Sequence, residues 1–156
     1  MRPKQFTLET VAALPGARLV LRYADDQTYV LDLSDTIAAQ PNFARLSSPV
    51  VFESVRLDEH GAAVIWDNDD DLTMAADNLR ARAVEQGGGI SHEFIWNWMH
   101  QHQMTLDEAA SALGLSRRML AYYRSGAKPV PRTVALACLG WEAAQRSGSL
   151  QLAQAA

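Results

Sequence analysis

The sequence predicts an α+β chain in two parts: a small N-terminal domain of antiparallel strands with one helix, followed by an all-helical domain. Three observations predict it. Apolar residues alternate with period two in the first part and recur at helical spacing in the second, and Gly87-Gly88-Gly89 stands between them. Three consecutive residues without a Cβ disfavour both helix and strand. The expected divisions are therefore 1–86, a glycine linker at 87–89, and 90–156.

The first part opens with a short strand around Thr10 to Leu14. Leu19, Leu21 and Tyr23 then alternate with Arg18, Val20 and Arg22, and Tyr29, Leu31 and Leu33 alternate with Thr28, Val30 and Asp32. Period two sends one set to a core face and the other to solvent. Ala24-Asp25-Asp26-Gln27 has the residues of a turn, so the two runs form a hairpin. Val51, Val55 and Leu57 mark a further strand, and Ala62 to Trp66 another. Asp58 to Gly61 join them, with Gly61 suited to positive φ. Pro41 to Pro49 reads as a connection with one helical turn. Leu72, Ala75, Ala76, Leu79 and Ala83 fall at helical spacing and predict the helix that covers the strands.

The second part carries its helix starts in its polar residues. Ser91, Thr105 and Ser116 are each placed to accept a backbone N–H at the start of a helix, the first beginning at His92 and the second running to Leu113. Phe94, Ile95, Trp98 and Met99 give the first helix an apolar stripe. Pro131 suits the first turn of a last helix, where no N–H is needed. Val134, Leu136, Ala137, Leu139 and Trp141 are the expected buried side of that helix.

Composition excludes several classes. The chain has 156 residues, 48% of them hydrophobic and 21% charged, which are globular values. No apolar run approaches a bilayer span, and Met1 to Thr7 offer no apolar core for a signal peptide. The lone Cys138 forms no internal disulfide, so a cytoplasmic setting is expected. The net charge of −4 argues at first against a nucleic-acid partner. It is unevenly spread. Residues 1–89 hold 8 Lys+Arg and 14 Asp+Glu, and residues 90–156 hold 6 and 4. From Ser116 to Arg132 the five cations Arg117, Arg118, Arg124, Lys128 and Arg132 meet no acid. That local charge is what contacts to phosphate need.

The most informative run is Thr105 to Gly126. Two short helices joined steeply by a tight turn need a small residue at the crossing, a residue that tolerates a left-handed backbone in the turn, and apolar plugs on either side. Ala110, Gly114, Leu115 and Leu120 supply them in that order. Thr105 through Ala110, Leu113-Gly114-Leu115-Ser116-Arg117, Ser125-Gly126, Pro129 and Pro131-Arg132-Thr133 resemble the Cro-type, lambda-repressor-like helix-turn-helix of the xenobiotic-response-element family. The likeness spans about Phe94 to Ala144. It implies a second helix in the DNA major groove with its N-terminal residues at the base edges. Carried over by position, Arg117, Arg118, Ala121 and Tyr122 face bases, and Thr105, Ser116, Arg124, Lys128 and Arg132 face phosphates. Arginine pairs bidentately with guanine O6 and N7. Leu106 departs from the pattern, since family members often carry a phosphate-contacting Gln there.

The first domain resembles the bacterial family called domain of unknown function 2442. Arg18 to Leu33 with Ser34, and Ser54 to Leu79, carry the likeness, above all Val64-Ile65-Trp66-Asp67-Asn68, Asp71-Leu72 and Asn78-Leu79. The resemblance implies a compact α+β unit without an assigned activity. Genes for such domains often neighbour a small toxin-like gene, which gives an antitoxin-like association.

Other residue groups read as structural. Asp67-Asn68-Asp69-Asp70-Asp71 is no EF-hand loop, because Leu72 and Asn78 stand where glycine and glutamate are required. It is expected as a polar turn, with Asp71 near a helix start. His92, His100 and His102 lack the spacing and the partners of a metal set. Cys138 is expected as a buried thiol. Trp96, Trp98 and Trp141 are expected in the core or an interface. No phosphate-binding glycine loop, nucleophile elbow or zinc-protease motif is present.

The expectation is therefore a bacterial regulator that binds double-stranded DNA sequence-specifically. It acts as a homodimer, without a cofactor, metal site, catalytic residues or membrane attachment, and it is not an enzyme. The acidic first domain is available to a protein partner. The alternative is an antitoxin-like protein-interaction module whose DNA binding is autoregulatory.

Overall fold

The computed structural model describes residues 1–148, so 149–156 of the predicted second domain lie outside the described residues. The architecture is mixed α+β. Two compact units, Met1–Gly88 and Gly89–Ala156, adjoin within the glycine triplet.

In the first unit the alternating segments form β1 (Leu8–Leu14), β2 (Arg18–Tyr23) and β3 (Thr28–Asp32), an antiparallel sheet in that order. Leu19 pairs with Leu31 and Leu21 with Tyr29, so the apolar set of each strand reaches one face. Leu19, Leu21, Tyr23, Leu31 and Leu33 are buried. The β2–β3 turn closes as its residues demand. Tyr23 N donates to Gln27 O (2.9 Å), and Asp26 takes φ +65°.

The chain then forms α1 (Ser34–Ala39), a 3-10 segment Pro41–Ser47 and α2 (Pro49–Glu53). Val51, expected on a strand, lies in α2. That strand shortens to β4 (Arg56–Leu57), which pairs with β5 (Ala63–Ile65). Pro49 is the reason. It opens the helix, where its missing N–H costs nothing, and Phe52 is drawn into the core. A third short strand, β6 (Thr73–Ala75), pairs with β5 and replaces the start of the predicted helix, which begins only at Ala76 as α3 (Ala76–Gln86). Leu72 is buried beside the strand, not on the helix, because its carbonyl accepts from Trp66 N (3.0 Å). Asp71 is correspondingly no helix cap. Its N–H donates to Asp69 Oδ1 (2.9 Å) inside the acidic turn, and Arg45 grips that turn through Asp67 and Asp69.

Trp66 and Tyr23 centre this core, and each satisfies its polar tip. Trp66 Nε1 donates to Phe52 O (3.1 Å), and Tyr23 Oη donates to Ala76 O (2.7 Å), tying β2 to α3. Burial drives the Tyr23 phenol well above its ordinary pKa. Arg80 of α3 lies over the rings of Tyr23 and Tyr29 and pairs with Asp25 at 2.7 Å.

The second unit holds α4 (His92–Gln101), α5 (Leu106–Leu113), α6 (Arg117–Arg124) and α7 (Arg132–Ser147). Ser91, Thr105 and Ser116 each accept the predicted cap bond, from Phe94 N, Glu108 N and Met119 N. Pro131 stands one position before the last helix rather than in its first turn. Ile95, Trp98, Met99, Ala109, Ala110, Leu120, Val130, Val134 and Cys138 form the core. The buried side of α7 is Val134, Ala135, Cys138 and Ala144, while Leu136 and Leu139 are half exposed. At 100° per residue Leu136 lies about 200° from Val134, so α7 has two apolar stripes, and the one with smaller residues packs inward. Among the described residues no helix is long and apolar enough to cross a membrane, and no group of three or more His, Cys, Asp or Glu could hold a metal ion.

Two outcomes are expected from these contacts. Gly61 has φ +66°, and a Cβ there would sit 2.3 Å from the Leu8 carbonyl oxygen. Gly61→Ala should therefore lower stability by about 2–3 kcal/mol, read from urea unfolding. The Cys138 thiol is fully buried and its pKa is pushed up to about 12 by desolvation, with Glu142 adding to the shift. An aromatic disulfide reagent at neutral pH should modify it on the order of 10³-fold more slowly, or slower still, in the native chain than in urea.

Candidate nucleic-acid interface

The site is built on the α5–α6 corner. Asp107 and Glu108 lie in the first turn of α5, where the helix dipole favours negative charge. At its other end Gly114 takes φ +69°, its N–H donates to Ser111 O, and Leu115 N donates to Ala110 O (2.9 Å). This paired closure uses a left-handed residue to satisfy the last carbonyls and turn the chain. Ser116 then starts α6. Ala109 and Ala110 are buried where the helices meet, and Leu120 is completely buried on the inner side of α6. Leu115 is half-buried against the same core. So is Leu106, the residue in place of the expected Gln, which joins the apolar cluster instead of facing outward.

With Leu120 inside, helical phase decides what faces out. Arg117 and Arg118 are exposed, and Ala121 and Tyr122 are half-buried on the outer part of α6. Thr105 and Ser116 are exposed caps whose oxygens accept backbone N–H groups, which leaves each O–H to donate outward. Lys128 lies in the loop after α6. Arg132 is the exposed first residue of α7, an unfavourable place for a cation unless an anion approaches from outside.

Little of this charge is neutralised internally. Arg117 Nη1 approaches Asp107 Oδ2 at 3.4 Å, but both side chains are about two-thirds exposed (67% and 70%), so water screens the pair. Three of the other cations rest on rings. Arg118 Nε donates to Tyr122 Oη (2.8 Å) with its guanidinium 5.4 Å from the ring centre, and Lys128 Nζ lies 4.8 Å from the same ring. Arg124 sits 5.1 Å from the ring centre of Trp96 on α4. A ring face orients a cation without cancelling its charge. Tyr122 thus collects two cations, a role that sequence spacing did not reveal.

The remaining candidates disperse. Trp96 is 52% exposed rather than in the core, while Trp98 is buried and stacks edge-on with half-buried Trp141 at 5.4 Å. The cue for Trp96 was its place between the stripe residues Ile95 and Trp98, next to exposed Asn97. His102 Nε2 meets Glu142 Oε1 at 2.9 Å and packs edge-on against Trp98 and Trp141, whereas His100 is exposed.

No protein-family model matches the chain, and no curated protein matches it. Among solved structures it is similar to Putative DNA Binding Protein NE0471 from Nitrosomonas europaea ATCC 19718, with 38% sequence identity and a TM-score of 0.82. The likeness covers 93% of this chain and 92% of that one. With that identity sustained over nearly the full length of both, the chain belongs to the family of NE0471.

Proposed function

We propose that the chain binds double-stranded DNA sequence-specifically, as a bacterial transcriptional regulator with α6 in the major groove. The observation that carries this reading is the outer face of α6. It is the cationic face of a short helix that carries no acid of its own and whose phase is fixed by a capped turn and a buried Leu120. A helix is about 10–12 Å across and the major groove about 12 Å wide, so an exposed, rigidly held helix of this kind fits it. The α5–α6 corner agrees with the helix-turn-helix resemblance, and the description carried by NE0471 points the same way.

The roles follow position. Arg117, Arg118, Ala121 and Tyr122 face base edges. Thr105, Ser116, Arg124, Lys128 and Arg132 hold the backbone. One α6 helix reads few base pairs, so the chain works as a homodimer on a two-fold symmetric site. The acidic first unit, resembling domain of unknown function 2442, stays off the DNA and serves a protein partner. No chemical step is assigned to the chain.

Selection of bound duplexes from a random pool, followed by titration over a salt series, tests this. The expected result is a two-fold symmetric sequence and a steep fall of affinity with salt. Lys128→Ala should weaken all duplexes alike and reduce the log–log slope by about 0.9. Arg117→Ala or Arg118→Ala should cost about 1–3 kcal/mol of discrimination at particular base positions. Absence of binding to any duplex at low salt would overturn the reading.

A further inference from the structure

We propose that α4 and α6 jointly form a seat for a DNA phosphodiester, in which Trp96 holds Arg124 toward the strand while His100 and Gln103 line the hollow beside it. The inference rests on the DNA reading above and extends the contact surface from α6 onto α4.

The first support is helical phase. Arg124 follows Arg117 by seven residues, which on an α-helix returns it to within about 20° of the same direction and about 10 Å further along the axis. It therefore continues the outer face of α6 at the end remote from the turn. A helix that fills the groove brings the side chains of that end to the groove wall, where the phosphates run, rather than to base edges.

The second support is the state of the two side chains. Trp96 exposes half of a large indole, on a helix that buries Ile95, Trp98 and Met99. Arg124 spans its face at 5.1 Å and, among the described residues, meets no carboxylate. The guanidinium is thus held in place with its charge intact and its N–H donors unclaimed by an acid. Stacking on a ring lowers the entropy lost when such a group binds an anion.

The third support is the hollow itself. A space of about 290 Å³ adjoins the pair, lined by Trp96, Met99, His100, Gln103, Met104 and Arg124. Polar residues Arg124, His100 and Gln103 line it beside one aromatic and two thioether residues, with no acid among them. A phosphodiester with its deoxyribose is amphipathic in the same sense, with anionic oxygens beside an apolar sugar. Gln103 is fixed there at φ +52°, an uncommon backbone for a residue with a Cβ. Its turn is tied down by Gln103 N to His100 O (3.1 Å) and Met104 N to Met99 O (3.0 Å).

The experiment is fluorescence anisotropy of the full chain with a fluorescein-labelled random-sequence duplex across a potassium chloride series, repeated with a selected duplex. Arg124→Ala should reduce the log–log slope by about 0.9. Trp96→Ala should weaken binding about tenfold, the lower end for one charge-assisted contact, and by the same factor on both duplexes. Trp96→Phe should retain most of the affinity, and Trp96→Ala should cost nothing further in an Arg124→Ala background. Melting temperature should fall by only a few degrees for Trp96→Ala, because half of the indole is already exposed. If the wild type binds DNA and Trp96→Ala binds equally well, or its loss adds fully to that of Arg124→Ala, the seat is wrong. If the wild type itself binds no duplex at low salt, the DNA reading falls instead.

Discussion

How closely α5 and α6 cross governs the second unit. Each is only eight residues long, too short to persist alone in water, so their stability comes from packing. Ala109 and Ala110 are small enough to be buried on α5, Leu120 is buried on α6, and Gly114 turns the chain without strain. Any larger residue at the crossing would push α6 outward and rotate it. The outward set of side chains is therefore a consequence of these four small or apolar residues.

Arginine serves opposite ends in the two units. In the first, Arg80 closes on Asp25 and Arg45 on Asp67 and Asp69, so these cations clip loops in place beside their counter-ions. In the second, Arg118 and Lys128 share the Tyr122 ring and Arg124 takes Trp96. Rings orient these groups and leave their field facing solvent. The net charge of −4 is an average over these two uses and describes neither.

What was legible in the sequence was local. Alternation placed β2 and β3, and hydroxyl caps marked the starts of α4, α5 and α6, because each depends on a few adjacent residues. The strand β6 was hidden, since three residues make a strand only when β5 lies alongside, and Leu72 and Ala75 also satisfy helical spacing. Val51 was misplaced because Pro49 converts an apolar run into a helical turn. Leu136 and Leu139 fit a buried stripe as well as Val134 and Cys138 do, and only tertiary packing chooses between the two. At the candidate site the cations could be named from the chain, but their seating on Tyr122 and Trp96 could not. Arg118 and Tyr122 stand four apart on one helix, but Lys128 reaches the ring from a loop and Arg124 meets Trp96 on a helix more than twenty positions away.

Gln86 closes α3 immediately before the glycine triplet, and its side-chain amide binds both backbone groups of Asp32, accepting from the N–H at 2.7 Å and donating to the carbonyl at 2.9 Å. An amide that bonds a strand residue in this reciprocal way imitates a neighbouring strand. The outer end of β3 is thus occupied by its own chain and offers no template there for pairing with another molecule. The same two bonds anchor the last residue of α3, so the freedom of the glycines begins at a fixed point.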